Sequence, residues 1–375
     1  MEIDRAIHQG ARYLANQIRP DGMFRYRVNM NPAVEVKPRY NILRHAGALY
    51  SLTMYHRWNG QSGAESAMAL AAGYLRDIAT RPVPGLPHIC AVWSDAEVSK
   101  SGAVTQAKLG GTGLGLAALA CHEAVRPGFM EIEVLRSMGR FLVFMQQESG
   151  EFYSKYFPDH RGRDSTLKSL YYPGEAALGL AMLHELDPDP TWLESSILAM
   201  RHLARERKGH GDNVPPDHWA LLATERVLRG PHLRHRAEIE SELLEHAAQI
   251  CRRMLADQIV DKPSPYCGGF QPAGNTTPTA TRLEGMQAAL CFLPVSSDAY
   301  DAIRKAVSLG VEFLIRAQVQ EGPFAGAWPR SIQGENGDLS AGEVSNPRAC
   351  EIRIDYIQHA ISALVQYREH SIVNN

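Results

Sequence analysis

The sequence predicts an all-α chain in which six helical hairpins close into an (α/α)6 toroid, with minor β-hairpins in the rim loops. Three observations predict it. Two kinds of helical segment alternate six times, the second kind lacks a polar face, and strand-like alternation is confined to short runs. The first kind is amphipathic, with charge along one side: residues 4–18, 64–78, 133–147, 192–206, 242–258 and 301–318. A helix of this pattern keeps one face in water, which places these six on an outer ring. The second kind is apolar or small nearly all round: residues 41–56, 106–122, 172–185, 217–228, 281–293 and 353–368. Such helices must be buried, and six of them, one from each hairpin, form an inner ring. Gly110, Gly111, Gly113 and Gly115 cost helix propensity in the second inner helix but let backbones approach closely. The runs Met23 to Val28 and Glu151 to Tyr156 predict the small rim hairpins.

Composition narrows the function classes. The chain has 375 residues, 45% of them hydrophobic, and a formal charge of -2 without a long basic run, so the electrostatic footprint of a nucleic-acid binder is missing. No segment approaches the roughly 18 apolar residues of a membrane span. The reading is a single toroid domain over 1–370 with a tail at 371–375, cytoplasmic, and free of nucleic-acid and membrane partners. Its six cysteines are scattered and form no CxxC, which predicts reduced and mostly buried thiols.

Several outer helices end in a segment of the form Q-x-x-x-G-x-F/W: NQIRPDGMF, QQESGEF and, loosely, QVQEGPFAGAW. With the hairpins placed, the chain resembles the six-hairpin (α/α)6-barrel superfamily of glycoside hydrolases, polysaccharide lyases and sugar epimerases. Terpenoid-cyclase toroids carry similar segments. The resemblance implies the toroid and a carbohydrate-processing or terpenoid chemistry, and carries over no catalytic residue.

Charged residues gather where the inner helices begin. Arg39, Tyr40, Asn41, Arg44 and His45 open the first, Gln106 and Lys108 the second, and Tyr171, Tyr172 and Glu175 the third. Asp217, His218 and Trp219 open the fourth, Arg282 and Glu284 the fifth, and Arg353, Asp355, Tyr356 and His359 the sixth. Acids in a first turn favour the helix dipole and can cap free N–H groups, which accounts for Glu175, Asp217 and Asp355 singly. The dipole does not favour Arg44, Lys108, Arg282 and Arg353 in the same positions. Interleaved charge at one mouth therefore predicts a polar pocket for a small-molecule or oligosaccharide substrate.

The preferred function is acid/base chemistry on an anionic, uronic-acid-type saccharide, with hydrolysis ahead of lyase or epimerase chemistry. Glu175, Asp355, Glu284, His359 and Tyr172 are the candidate catalytic residues. The remaining residues of the mouth, save Gln106, are candidates for substrate binding. Glu175 and Asp355 come from opposite inner helices, whose axes lie roughly 20 Å apart when neighbours are about 10 Å apart. Glycosidic cleavage needs two carboxyl groups across the bond, one of them protonated. Asp355 and His359, four residues apart, make two ligands at most, so neither a metal nor a cofactor is expected. A terpenoid-type enzyme would want a DxDD cluster, and Asp187-Pro-Asp-Pro lies at the wrong end of its helix; a non-catalytic ligand-binding toroid is the other alternative.

Overall fold

The structure, a computed structural model, describes residues 2–60, 63–159, 161–211, 213–229, 236–332 and 348–373. The outer helices are α1 (Glu2–Ala15), α3 (Glu65–Gly73), α6 (Ile132–Phe144), α8 (Pro190–Arg207), α10 (Ala237–Ala256) and α12 (Asp298–Ala317). The inner helices are α2 (Ile42–Asn59), α5 (Leu109–Val125), α7 (Tyr172–Leu186), α9 (His218–Leu228), α11 (Thr276–Leu290) and α13 (Ile354–Val373). A single short helix, α4 (Ala96–Ser99), lies in a connection, and α3 runs on into a π-helical turn over Tyr74–Ala79. Each inner helix packs on the next, α2 on α5, then α7, α9, α11 and α13, and α13 returns to α2. The predicted toroid is the observed architecture.

Burial explains why the inner sequences lack a polar face. Every residue of α5 from Leu109 to His122 is buried. At its tightest contact, a β-carbon on Gly113 would stand 2.6 Å from the Cα of Ala176 on α7, so only glycine fits.

The Q-x-x-x-G-x-F/W segments are joints between outer helices. The side-chain amide of Gln146 donates to the Ser195 carbonyl of α8 at 2.9 Å, and that of Gln318 to the Ala6 carbonyl of α1 at 2.9 Å. The second bond ties the last outer helix to the first. Gly326, with φ +91°, presses against Gln9 of α1 so closely that a β-carbon would lie 2.3 Å from its carbonyl oxygen. Gln258 makes the equivalent bond to Ala306 at 2.8 Å, a joint hidden in the sequence because its glycines come ten residues later.

Small rim hairpins form at both expected runs, with Phe24 opposite Ile18 and Phe152 opposite Gln146, and further strands join them. β1 (Arg27–Asn29) forms no local hairpin; it pairs antiparallel with β7 (Glu351–Arg353), Arg27 opposite Arg353. Prolines at 32 and 38 prevent the following segment from returning as a ladder partner. A five-stranded sheet forms in the order β2 (Thr80–Val83), β3 (Leu86–Ser94), β4 (Gln106–Lys108), β5 (Lys155–Phe157) and β6 (Gly162–Asp164). Strands of three or four residues are too short to announce a period of two. Gln106 and Lys108 thus precede α5 on a strand instead of opening it. Helix α11 starts at Thr276, five residues early, because Pro278 in the first turn forfeits an N–H that has no acceptor there. Arg282 and Glu284 therefore sit in its second and third turns. Helix α13 continues to Val373, past the boundary expected at 370. Asn374 and Asn375 of the expected tail lie outside the described residues.

Candidate active site at the mouth of the ring

The starts of α2, α5 and α13 surround a cleft of about 240 Å³, lined among others by Tyr26, Arg39, Asn41, Arg44, Lys108 and Arg353. Asn41 has a second task, its side chain capping α2 by accepting from the Leu43 N–H at 3.1 Å. Lys108 stands opposite Lys155 across the β4–β5 ladder. Burial, Lys155 and Arg44 all push its pKa down, since each disfavours the charged form. Like charges directly opposite one another in a sheet are destabilising unless an anion joins them.

Asp355 forms one wall. Both its oxygens accept from Arg353, at 2.5 and 3.0 Å, and Arg44 approaches at 3.0 Å. Burial raises its pKa, but the two guanidinium groups outweigh burial and hold it below the ordinary carboxylate value. Arg44 also bonds the Tyr26 hydroxyl.

Glu175 has the opposite character. It is 2% exposed, and its Oε2 has no hydrogen-bond partner among the described residues. Burial, reinforced by the Asp217 charge, pushes its pKa well above 4.5, which favours the protonated carboxyl. Gly110 makes its space: a β-carbon there would fall 1.9 Å from Oε2. Tyr172 lies between Glu175 and Arg44 in electrostatic reach, its phenol pushed up to about 12 by burial and Glu175 and eased by Arg44.

Three further polar groups meet at the floor. His359 Nδ1 and Glu284 Oε2 are 2.7 Å apart, and His218 Nε2 lies 3.9 Å from the same oxygen. The rings of Tyr171 and His359 meet His218 edge-on at 5.2 and 5.4 Å, and Trp219 stacks at a tilt, 4.8 Å away. Burial holds His218 neutral, well below its ordinary pKa, and raises that of Glu284 against the pull of His359.

Other residues expected at the mouth are structural. His45 is fully buried, with Tyr40 Oη at 2.7 Å and the Ala71 carbonyl at 2.9 Å from its two nitrogens. Tyr40 also accepts from the Phe24 N–H, so its hydroxyl is held by core partners although the residue lines the cleft. Asp217 caps α9 and pairs with Arg207 at 2.8 Å, buried on both sides. Arg282 turns towards the Pro278 carbonyl and Asp257, and Tyr356 donates to Glu351 at 2.8 Å. Sequence reasoning missed Tyr26, Trp93, Asp95 and Lys155; Trp93 and Lys155 lie on strands, Tyr26 and Asp95 directly beside strands, and the pairing that brings them to the mouth leaves no local pattern.

No family model matches the chain, and no curated protein matches it in sequence. Solved structures do match in shape. An α-1,6-mannanase from a Salegentibacter species superposes with TM-score 0.63 at 12% identity, over 97% of this chain and 99% of its own. A cellobiose 2-epimerase from Bacillus thermoamylovorans gives 0.69 at 10% identity, covering 95% of each chain, and a D-mannose isomerase 0.65 at 12%, covering 98% and 97%. The fold is that of the (α/α)6 toroids. An inactive variant of the mannanase, in complex with α-1,6-mannotriose, has two consecutive aspartates replaced. The present chain has no two consecutive carboxylates anywhere in its sequence.

Proposed function

We propose that the protein is a carbohydrate-active enzyme that moves a proton on an anionic saccharide, in the manner of an epimerase or isomerase. The observation that carries the reading is the pairing of a cationic cleft, lined by Lys108 and Arg44, with Glu175, a buried carboxyl whose Oε2 has no hydrogen-bond partner among the described residues. The cations suit a carboxylate-bearing sugar such as a uronic acid. Glu175 supplies the proton, and Tyr172 links it to the cleft. Structural neighbours that act on sugars, two of them an epimerase and an isomerase, support the substrate class. Hydrolysis, preferred from the sequence, ranks second here. Asp355, the partner it would need, is clamped by two arginines, and the consecutive aspartates of the mannanase have no counterpart.

Incubation with paired uronic and neutral saccharides in D2O tests the reading. The expected outcome is deuterium at a sugar carbon of the uronic member, with kcat/KM reduced at least about tenfold in Lys108→Met, the worth of one charge-assisted contact. Cleavage without deuterium uptake would return hydrolysis to first place. Equal turnover of both members, unaffected by Lys108→Met, would remove the anionic substrate.

A further inference from the structure

His218 is the least explained side chain of the mouth. It is 2% exposed, and neither ring nitrogen has a hydrogen-bond partner among the described residues. Its neighbours Tyr171 and Trp219 are aromatic and would accommodate an apolar residue. A buried polar group without a partner is costly, and a partner from outside the chain would remove that cost. Glu284 and His359 indicate its nature. Each of the three residues offers one ligand atom, from helices α9, α11 and α13, and these atoms lie within 4.8 Å of one another.

We propose that His218, Glu284 and His359 form a binding site for a divalent transition-metal ion of the zinc class. Two imidazole nitrogens and one carboxylate oxygen are a donor set that zinc accepts, with a fourth position left open. Around a tetrahedral zinc, ligand atoms about 2.0–2.1 Å from the ion stand roughly 3.3 Å apart. The measured separations, 2.7 Å for Glu284 to His359 and 3.9 Å for Glu284 to His218, straddle that value, so closure needs side-chain shifts of well under about 1 Å for these pairs. All three groups are buried, and a neutral imidazole is the form that binds metal. His359 lies one helical turn along α13 from Asp355, whose partner Arg353 lines the cleft, and an ion held there would supply Lewis acidity to a saccharide oxygen that reached it. The site was not foreseen in the sequence because Asp355 and His359 share a helix face, whereas the actual set spans three helices.

Metal binding is read without substrate. The full chain, stripped with a chelator, is titrated with Zn2+ by calorimetry and with Co2+ by visible absorption. One ion per chain is expected, with a Co2+ spectrum free of thiolate charge transfer. His218→Asn, Glu284→Gln and His359→Asn should each weaken binding about 100-fold or more, beyond the usual cost of losing an outer hydrogen bond to a ligand. Circular dichroism checks that they remain helical. Glu175→Gln should bind the ion like the wild type, which separates this inference from the catalytic role of Glu175. Failure of the wild type to bind Zn2+, binding unchanged in all three variants, or a thiolate signature would overturn it; the last result needs no variant to fold.

Discussion

The joints of the outer ring and the floor of the mouth both bury polar side chains, and they treat them in opposite ways. At the joints, Gln146, Gln258 and Gln318 each give their amide to a carbonyl of the next outer helix. At the floor, Glu175 Oε2 and both nitrogens of His218 have no partner among the described residues. The contrast repeats within one dipeptide: Asp217 is capped and ion-paired, while His218 beside it is bare. Polar groups paired within the chain build the ring, and the bare ones at the floor stand beside the candidate site.

The comparison can be broken by removing a partner where polarity is satisfied. Arg207→Met leaves Asp217 as a buried, unpaired charge and should cost about 3–5 kcal/mol of stability in a denaturant titration. A loss below about 1 kcal/mol would mean that water already serves Asp217. Gln318→Leu strands the Ala6 carbonyl and should cost about 1–3 kcal/mol, with proteolysis rising at the closure between α12 and α1. His122 sharpens the comparison, because it is a bare buried imidazole away from the mouth, packed edge-on against Phe129. Burial lowers its pKa from 6.5 to about 4. Its neutral form stabilises the fold fully above 6.5, and that contribution is lost as pH falls towards 4. Between about pH 7.5 and about pH 5.5, His122→Phe should lose about 1 kcal/mol less stability than the wild type. An identical loss would show that His122 is hydrated.

The ring was legible in the sequence because helix burial writes itself into every turn, as the run Leu109–His122, without a charged side chain before its last residue, demonstrates. The starts of the inner helices were legible only in part: Lys108, Arg44 and Arg353 line one cleft and Glu284 meets His359, but Lys108 stands on a strand and α11 begins five residues early. What the sequence hid is pairing across long separations. Nothing near Asp217 announces Arg207, nothing near His45 announces the Ala71 carbonyl, and β1 finds its partner more than 300 residues away. A charged residue at a helix start reads the same whether a distant side chain satisfies it or not. For that reason Asp217 and His45 were counted with the mouth, while their side chains are spent on core partners.

The central claim is that Glu175 is a working acid kept protonated by burial. Glu175→Gln keeps the shape and removes the proton, so its turnover and thermal stability measured side by side test that claim most directly. Because burial raises the folded pKa of Glu175 above 4.5, the wild type loses stability as pH rises through the window above that value, and the amide escapes this loss. The account predicts a variant at least as stable as the wild type at neutral pH whose turnover falls about 100-fold or more. A variant that melts lower and turns over normally would contradict it and make Glu175 a structural residue of α7.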